Sequence, residues 1–328
     1  MSPYLFWLYT KTLTLRKVFN AIKVFVSYKF SSWLKKPLRW GQPISISLEP
    51  VSFCNLRCPQ CPAGNGSLTR KKSFINFNIA KSVIDQSYKQ LVNLFLYFQG
   101  EPLLYPGLCE LIKYAKNKNI FCATSTNAQF IDIDKAKDLV KSGLDHIIIS
   151  LDGADQKTYA TYRIGGNIAK VLSSIENLDA AKRELKSKTP FVEVQFIVFK
   201  HNQHQIEQVK KLALSKGANL VSIKTAQIYA DFETWLPDNK YSRYKKQNGN
   251  YVQKRKLKNR CWRLWNSIVI TVEGDILPCC YDKDAKYAFG NLKNETIKNV
   301  IGNHKFKKFA STLLHNQNSI DICNNCNG

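Results

Sequence analysis

Short apolar runs alternate with longer amphipathic stretches through the middle of the chain. The apolar runs predict six buried strands, at residues 44–48, 94–98, 120–125, 146–151, 191–199 and 219–224. Between them, helical periodicity predicts helices at residues 78–90, 107–117, 134–142, 169–186 and 203–216. Strands that alternate with helices indicate βα units and an α/β fold with a parallel sheet. Functional residues are then expected at the carboxyl ends of the strands.

The amino-terminal stretch, residues 4–36, predicts one or two amphipathic helices. Its apolar stripe consists of Leu15, Val18, Phe19, Ile22, Phe25 and Val26. Arg16, Lys17 and Lys23 fall opposite that stripe. Two interpretations remain open: a helix that lies on an anionic membrane surface, and a helix packed on the rest of the fold with a solvated basic face.

The carboxyl-terminal pattern differs from the βα repeat. Residues 267–272 and 275–278 flank Glu273-Gly274, which predicts a β-hairpin with a tight turn. A helix is predicted over residues 295–313. The chain is therefore divided into an amino-terminal helical segment (1–40), an α/β core (41–228), a basic connecting region (229–260) and a small domain (261–328).

Composition adds a strongly basic character. The 328 residues contain 49 Lys and Arg against 24 Asp and Glu, and residues 1–48 and 239–272 contain no acidic residue. Such a balance indicates an anionic partner: a membrane face, a phosphorylated or acidic substrate, or a nucleic acid. Basic residues alternate with tyrosines in residues 240–246. A lid over an anionic substrate and a solvated helix face are both better explanations of this pattern than a nucleic-acid contact.

Cysteine usage indicates the compartment. The ten cysteines form two groups, at 54–61 and 261–326, with Cys109 and Cys122 between them as expected buried small side chains. Clustered cysteines without a secretory signal are typical of metal binding in a reducing cytosol. The longest stretch without a charged residue, 119–131, is too short to span a bilayer. We expect a cytoplasmic protein, with the inner membrane face as its site if the amino-terminal helix binds lipid.

Three cysteines follow the first predicted strand at the spacing Cys-x3-Cys-x2-Cys. This spacing lets Cys54, Cys58 and Cys61 each bind one iron of a four-iron cube and leaves the fourth iron open. A zinc site is the alternative, but its fourth ligand would have to come from Cys109 or beyond.

The cysteine motif resembles that of the radical SAM superfamily. The resemblance implies a partial (β/α)6 barrel and a 4Fe-4S cluster whose free iron binds S-adenosylmethionine. An electron from the reduced cluster would cleave this cofactor to a 5′-deoxyadenosyl radical, which abstracts a hydrogen atom. A small reductase, ferredoxin or flavodoxin is the implied electron donor.

Further strand ends resemble the cofactor-binding motifs of that family. Residues 99–102 are similar to its Gly-Gly-Glu-Pro motif, with Gln99 in the first position. The resemblance assigns the backbone at Gly100 and the side chain of Glu101 to the methionine ammonium, a pairing of opposite charges. Thr126-Asn127 resembles Thr-Asn-Gly, with Ala128 replacing the glycine, so Asn127 either lines the pocket or forms a turn.

The fourth strand ends near Ser150, and Arg163 follows. In related maturases, residues so placed contact the ribose and carboxylate of S-adenosylmethionine. Asp152 is expected to contribute here or to cap the next helix. One departure is Gln60, which stands where many family members carry an aromatic residue that contacts adenine.

The second cysteine group resembles the twitch domain, a shortened SPASM domain that holds one auxiliary 4Fe-4S cluster. The implied ligands are Cys261, Cys279, Cys323 and Cys326, with Cys280 as an alternative to Cys279. Four thiolates close a cube, so electron transfer is its implied role. A four-cysteine zinc ribbon is the alternative.

These features predict a radical SAM enzyme that oxidises an anionic small-molecule or lipid-linked substrate, with the auxiliary cluster transferring an electron. The alternative is a maturase of a peptide or protein. A metal-stabilised scaffold that binds nucleic acid is a third hypothesis, but it would not need the Gly-Glu-Pro strand end. No residue of the sequence stands out as the catalytic acid or base.

Overall fold

The computed structural model describes residues 3–326. The strands are β1 (Ser45–Leu48), β2 (Asn93–Phe95), β3 (Phe121–Thr126), β4 (His146–Ser150), β5 (Phe191–Val198), β6 (Leu220–Thr225), β7 (Tyr244–Gln247), β8 (Asn250–Gln253), β9 (Ser267–Ile270), β10 (Asp275–Leu277) and β11 (Gly290–Asn291). The α-helices are α1 (Pro3–Lys11), α2 (Leu15–Leu34), α3 (Pro62–Asn65), α4 (Phe77–Ser87), α5 (Leu108–Asn117), α6 (Ile133–Lys141), α7 (Gln156–Tyr162), α8 (Ile168–Glu184), α9 (Ile206–Ser215), α10 (Phe232–Trp235), α11 (Trp262–Asn266), α12 (Ile297–Val300), α13 (His304–Asn316) and α14 (Asp321–Asn324).

Strands β1 to β6 form a parallel sheet in chain order, and helices connect them. The α/β fold is therefore confirmed, and the six predicted core strands end within three residues of their predicted bounds. Successive side chains of a strand point to opposite faces of the sheet. On β1, Ile46 and Leu48 are fully buried against the helices on the outer face, whereas Ser45 and Ser47 lie on the inner face. Cys122 is likewise buried among the helices, and Cys109 is half-buried beside them.

Helix α1 closes the amino end of the sheet's inner face. Leu5 and Leu8 pack against Phe121 and Phe191, and the ring of Tyr9 stacks on Phe121 at 3.9 Å between centroids. Because this end is filled by apolar side chains, the open end of the inner face is the one that carries the strand-end motifs.

The carboxyl-terminal hairpin extends the barrel sheet. Strand β9 pairs in parallel with β1, and β10 pairs with β9 in the antiparallel sense, which gives the order β11-β10-β9-β1-β2-β3-β4-β5-β6. The predicted hairpin is confirmed. The predicted helix over residues 295–313 is wrong, because Asn303 caps a new helix through Phe306 N and so separates α12 from α13.

Helix α2 packs with its polar side inward. Its buried residues are Lys17, Asn20, Val24, Ser27 and Ser31, so the expectation that Lys17 lies on a solvated face is wrong. The ammonium of Lys17 instead donates to the carbonyl oxygens of Thr12 (2.9 Å) and Asn119 (2.5 Å). Within residues 3–326, the helices are too short or too polar to cross a membrane.

Candidate cluster and cofactor site

The three cysteines of the first motif lie on one loop that leaves β1 and ends at α3. Leu56 N lies 3.4 Å from Cys54 Sγ, and Cys61 N donates to Cys58 O at 3.1 Å. Cys58 is buried beside Leu56, Tyr162 and Phe199. These contacts fold the loop, and Cys58 and Cys61 are near enough to Cys54 to interact with it electrostatically.

The chemistry of this loop fits an iron–sulfur cluster. Burial raises the pKa of the Cys54 thiol to about 12 and also raises the pKa of Cys58, so a bound cation is needed to hold either as a thiolate at neutral pH. Within residues 3–326, no three His, Cys, Asp or Glu side chains converge on one point as ligands of a single ion do. A cube takes each thiolate at a separate iron and needs no such convergence.

Gly100 brings the second strand end onto the cysteine loop. Its φ is +70°, and a Cβ there would lie 2.5 Å from Val51 O and 2.6 Å from Phe53 O. Glu101 N donates to Phe53 O at 3.0 Å. Only glycine permits this close approach, which explains the Gly-Glu pair.

The Glu101 carboxylate points towards the end of β3. It accepts hydrogen bonds from Thr126 Oγ1 (2.6 Å), Asn127 N (2.7 Å) and Leu103 N (3.1 Å). Burial raises the pKa of Glu101, and these hydrogen bonds oppose the rise. The carboxylate therefore joins two strand ends, and its predicted contact with the methionine ammonium stays a prediction.

Asn127 lies against the first cysteine. Its Nδ2 lies 3.6 Å from Cys54 Sγ and donates to Asn55 Oδ1 at 2.8 Å. The next residue, Ala128, adopts φ +57°, a conformation that glycine adopts more readily. The turn at the end of β3 thus brings an amide donor to the sulfur despite the missing glycine.

Arg163 and Asp152 form a buried pair beside Cys58. Arg163 Nε donates to Asp152 Oδ2 at 2.6 Å, and Arg163 Nη1 lies 3.9 Å from Cys58 Sγ. Burial acts to lower the pKa of Arg163, but Asp152 and Cys58 outweigh it and raise the pKa. Asp152 as a helix cap is wrong, because Asp155 caps α7 through Thr158 N at 2.9 Å. Ser150 lies half-buried at the end of β4, as predicted.

Gln60, which replaces the family's aromatic residue, fastens the cysteine loop to the segment after β6. Its Oε1 accepts from Tyr229 N at 2.8 Å, and its Nε2 donates to Ala230 O at 2.8 Å. The Tyr229 side chain is 44% exposed and interacts electrostatically with Cys61. The backbone contact with Gln60 therefore brings an aromatic residue near the third cysteine, although this residue comes from another part of the chain.

An ion triad with two buried members links the core to the carboxyl-terminal hairpin, and sequence reasoning missed it. Arg70 contacts Glu49 at 2.6 Å and Glu273 at 2.9 Å. Glu49 also accepts from Gln99 N (3.3 Å) and Val272 N (3.0 Å). The position of Glu49 directly after β1 is the one local sign of a functional or structural role. Its hydrogen-bond partners lie 21 or more residues away along the chain.

The inside of the barrel holds a second polar group that sequence reasoning missed. His146 Nε2 lies 3.0 Å from Glu193 Oε2, and Gln195 Nε2 donates to Glu193 Oε1 at 3.2 Å. Burial acts to raise the pKa of Glu193, but His146, Ser222 and Gln195 outweigh it and lower the pKa to about 2. An ionised carboxylate therefore faces the barrel interior.

The second cysteine group surrounds a small cavity. The side chains of Cys261, Cys279, Cys323 and Cys326 line it, together with apolar residues such as Phe309 and Leu313. Cys280 lies outside this cavity, with its Sγ 2.7 Å from Arg263 Nη1. None of the ten cysteines forms a disulfide. The four-thiol set, with Cys279 rather than Cys280, fits a closed cube.

A larger cavity of about 790 Å³ separates the barrel's inner face from this second group. Inward side chains of β1, β2 and β9 form one wall, and Cys261, Cys280 and Cys326 form part of another. Its basic lining consists of Lys29, Arg255, Lys256, Lys258, Arg260 and Arg263. The volume suits a small ligand or a few residues of a peptide.

Comparison with known families identifies the class. The family model described as the radical SAM superfamily matches residues 48–213, and the model of the SPASM iron–sulfur cluster-binding domain matches residues 261–327. The chain belongs to the radical SAM superfamily and carries a SPASM domain. Its cofactors are accordingly a 4Fe-4S cluster with S-adenosylmethionine and an auxiliary iron–sulfur cluster, in place of the zinc alternatives.

Two curated relatives are named as a peptide cyclase and as a maturase. The chain is 28% identical over 187 residues to the PqqA peptide cyclase of Gluconobacter oxydans (strain 621H), covering 57% of this chain and 50% of the relative. It is 29% identical over 178 residues to the mycofactocin maturase MftC of Mycobacterium ulcerans (strain Agy99), covering 54% and 46%. The chain thus spans about half the length of these relatives.

Solved structures share the fold. Native anSMEcpe with bound AdoMet superposes with a TM-score of 0.61 at 17% identity, covering 81% of this chain and 82% of that one. SuiB of Streptococcus suis bound to its precursor peptide SuiA gives a TM-score of 0.60 at 14% identity, covering 84% and 67%. At these identities the likeness concerns the fold alone.

Proposed function

We propose that this radical SAM enzyme modifies a peptide or protein substrate that carries acidic side chains. The observation that carries the proposal is the basic cavity between the barrel and the second cysteine group. Its volume of about 790 Å³ accommodates a short peptide segment, and its six Lys and Arg side chains favour a negatively charged one. The names of two curated relatives, a peptide cyclase and a maturase, support the substrate class.

The chain's own residues would organise the cofactor. When bound, the first cluster and S-adenosylmethionine supply the 5′-deoxyadenosyl radical. We propose Cys54, Cys58 and Cys61 as the cluster ligands and the backbone at Gly100, together with Glu101, as the ammonium site. Asn127 and Arg163 approach two of the ligand sulfurs and would stabilise negative charge there.

The remaining cofactor contacts are proposed by their placement. Ser150, at the end of β4, and Arg163, beside Cys58, would contact the ribose and carboxylate of S-adenosylmethionine. Cys261, Cys279, Cys323 and Cys326 would hold the auxiliary cluster. A net two-electron oxidation would proceed in two steps. The substrate would first lose a hydrogen atom to the radical. It would then lose a proton, together with an electron that the auxiliary cluster would accept.

A second candidate substrate is an anionic small molecule or a lipid-linked anion. The basic lining of the cavity favours it equally, because phosphate and carboxylate groups pair with Lys and Arg in the same way. A peptide makes more contacts along the cavity than a small molecule does, so the two should differ in affinity. A binding competition measures that difference.

The test uses reconstituted full-length protein and a fluorescein-labelled octaglutamate peptide as the probe. Lys258→Glu/Arg260→Glu reverses two charges that line the cavity, and Lys245→Glu/Lys246→Glu reverses two exposed charges on β7 that do not. We expect the cavity variant to weaken peptide binding at least tenfold and the β7 variant to change it less than threefold.

Pyrophosphate and an octalysine peptide serve as competitors. Under the peptide proposal, unlabelled octaglutamate displaces the probe at far lower concentration than pyrophosphate, and octalysine does not displace it. Equal weakening by both double variants would contradict a role for the cavity. Displacement by micromolar pyrophosphate would favour the small-anion candidate.

A further inference from the structure

We propose that α1 and α2 dock this protein on an anionic lipid bilayer. The contact surface, called here the lipid-docking face, consists of Leu15, Val18, Phe19, Ile22, Phe25, Phe30 and Trp33 of α2. All seven are exposed, with Leu15 at 79%, Phe19 at 62% and Trp33 at 76% of their full accessible surface.

The packing of α2 is inverted relative to an ordinary surface helix. An ordinary amphipathic helix buries its apolar stripe and exposes its polar one. Here the buried side carries Lys17, Asn20, Ser27 and Ser31, whose side chains all bond to backbone carbonyl oxygens. The bonds of Lys17, Asn20 and Ser31 hold the helix to neighbouring segments, and the buried Val24 packs in the core. The apolar stripe is left for another partner.

The bonds that hold α2 in this orientation are specific. Asn20 and the backbone of Gln42 exchange two hydrogen bonds of 2.9 Å each. Ser31 Oγ donates to Leu38 O at 3.0 Å and accepts from Leu38 N at 2.8 Å. Rotation of α2 to bury its apolar stripe would break all four bonds. A contiguous exposed apolar surface of this length marks an interaction site.

Charge identifies the partner as an anionic surface. Lys11, Arg16, Lys23, Lys29, Lys35 and Lys36 are all exposed around the lipid-docking face, and residues 1–48 contain no acidic residue. Lysine and arginine beside an apolar helix face bind anionic headgroups while the apolar side chains enter the acyl boundary. A second copy of this chain would present the same positive charge and would be repelled.

Aromatic residues add to the match. Trp7, Trp33 and Trp40 of the amino-terminal segment are all exposed. Lys11 Nζ lies 3.5 Å from the Trp7 ring centroid. Tryptophan is enriched at membrane–water interfaces because its ring is apolar and its N–H is polar. Helix α2 has 20 residues but too many charged and polar side chains to span a bilayer, so it would lie along the surface.

The docked orientation would place the basic cavity near the bilayer. Tyr28 and Lys29 of α2 line that cavity, and the Tyr28 ring contacts Trp262 at 5.3 Å between centroids. One helix thus borders both surfaces. The membrane contact itself does not depend on the substrate class.

The experiment is vesicle flotation of the reconstituted full-length protein. Vesicles contain phosphatidylcholine alone or with about one-third phosphatidylglycerol, an anionic fraction at which basic helices bind well. Leu15→Gln/Phe19→Gln/Ile22→Gln removes apolar contacts without changing charge. Its matched control, Phe130→Gln/Leu214→Gln, removes exposed apolar side chains elsewhere on the surface.

We expect wild type and control to float with the anionic vesicles and not with phosphatidylcholine alone. The triple variant should float at least tenfold less, and Arg16→Glu/Lys23→Glu should behave similarly at low salt. Because these positions are remote from the cysteine loop, 5′-deoxyadenosine formation without vesicles should match wild type, which shows that the variants are folded.

Three results would overturn the proposal. The first is wild-type protein that stays at the bottom of the gradient with anionic vesicles. The second is equal flotation of wild type and the triple variant. The third is a wild-type dimer in solution that the triple variant abolishes, without flotation of either, which would assign the face to a second copy.

Discussion

At the scale of single residues, the cofactor site is built from side chains that serve neighbouring loops. Position 100 requires glycine, because the carbonyl oxygens of Val51 and Phe53 occupy the space that a Cβ would need. Glu101 accepts two hydrogen bonds from the end of β3 and one from Leu103 N, and Asn127 in turn lies against Cys54. The strand-end motifs therefore hold each other in place.

Glu101→Gln tests this coupling. The carboxylate accepts at both oxygens, from Thr126 and Asn127, and an amide would turn an NH₂ group towards one of these donors. We predict a loss of about 1–3 kcal/mol of unfolding free energy, because a buried hydrogen bond is broken and a donor is left unpaired. Urea unfolding monitored by circular dichroism measures it.

Glu110→Gln is the matched control, since Glu110 is exposed on α5. It should change the unfolding free energy by less than about 0.5 kcal/mol. Equal stability of both variants would show that the Glu101 carboxylate is not an essential acceptor.

Residue motifs with fixed local spacing were predictable from the sequence, and long-range pairs were not. Cys54, Cys58 and Cys61 lie within eight residues, so their spacing alone indicates a cluster. The Glu49–Arg70–Glu273 triad joins residues up to 224 positions apart, and no local pattern marks it. For Asp152 the sequence allows a cofactor contact or a helix cap, because its pairing with Arg163 depends on the fold.

At the scale of elements, the strands and helices follow from hydrophobic periodicity, because that pattern is local. Their partners do not: the pairing of β9 with β1 joins two segments more than 200 residues apart. Hydrophobic periodicity also does not predict the orientation of α2. It shows that the helix has an apolar stripe, but not whether that stripe faces the core or the solvent. The break before α13 depends on a single cap at Asn303.

Lys17→Met tests the inverted packing of α2. Burial, with the nearby charge of Lys116, lowers the pKa of Lys17 to about 8 from 10.5. Between pH 8 and 10.5 the unfolded chain therefore binds more protons than the folded one, and wild-type stability rises with pH through this window. Below pH 8 both states are protonated, and the penalty for burying the charge is constant.

We predict that the wild-type unfolding free energy gains roughly 1–2 kcal/mol between pH 7.5 and 9.5 that the variant lacks. Urea midpoints at the two pH values measure the difference, and Lys157→Met, an exposed site on α7, should keep the wild-type gain. A parallel pH dependence of wild type and Lys17→Met would mean that this ammonium is solvated.

At the scale of the whole molecule, the chain carries two cysteine groups and one basic cavity, and the second group lines that cavity. The first lies at the open end of the barrel, and the second lies against the hairpin that β9 attaches to β1. The sequence predicted both groups and the basic surplus. It could not predict the cavity, because its lining comes from α2, β1, β2, β9 and residues 255–263, which only the fold brings together.

The choice between a small anionic substrate and a peptide also depends on the whole molecule. Charge alone does not distinguish a small anionic substrate from an acidic peptide, so the sequence left the peptide open as an alternative. The curated relatives, named as a peptide cyclase and a maturase, favour the peptide. Both hypotheses retain the same radical chemistry and the same cavity.

The most direct measurement is the yield of 5′-deoxyadenosine from anaerobically reconstituted protein with S-adenosylmethionine and dithionite, together with iron content. For wild type we predict product and about eight irons per chain. Cys54→Ala/Cys58→Ala/Cys61→Ala should give no product and keep about four irons, whereas Cys261→Ala/Cys279→Ala should lose about four irons and still form product. Product from the first variant, or none from wild type, would contradict the assignment of the first cysteine loop as the site of radical formation.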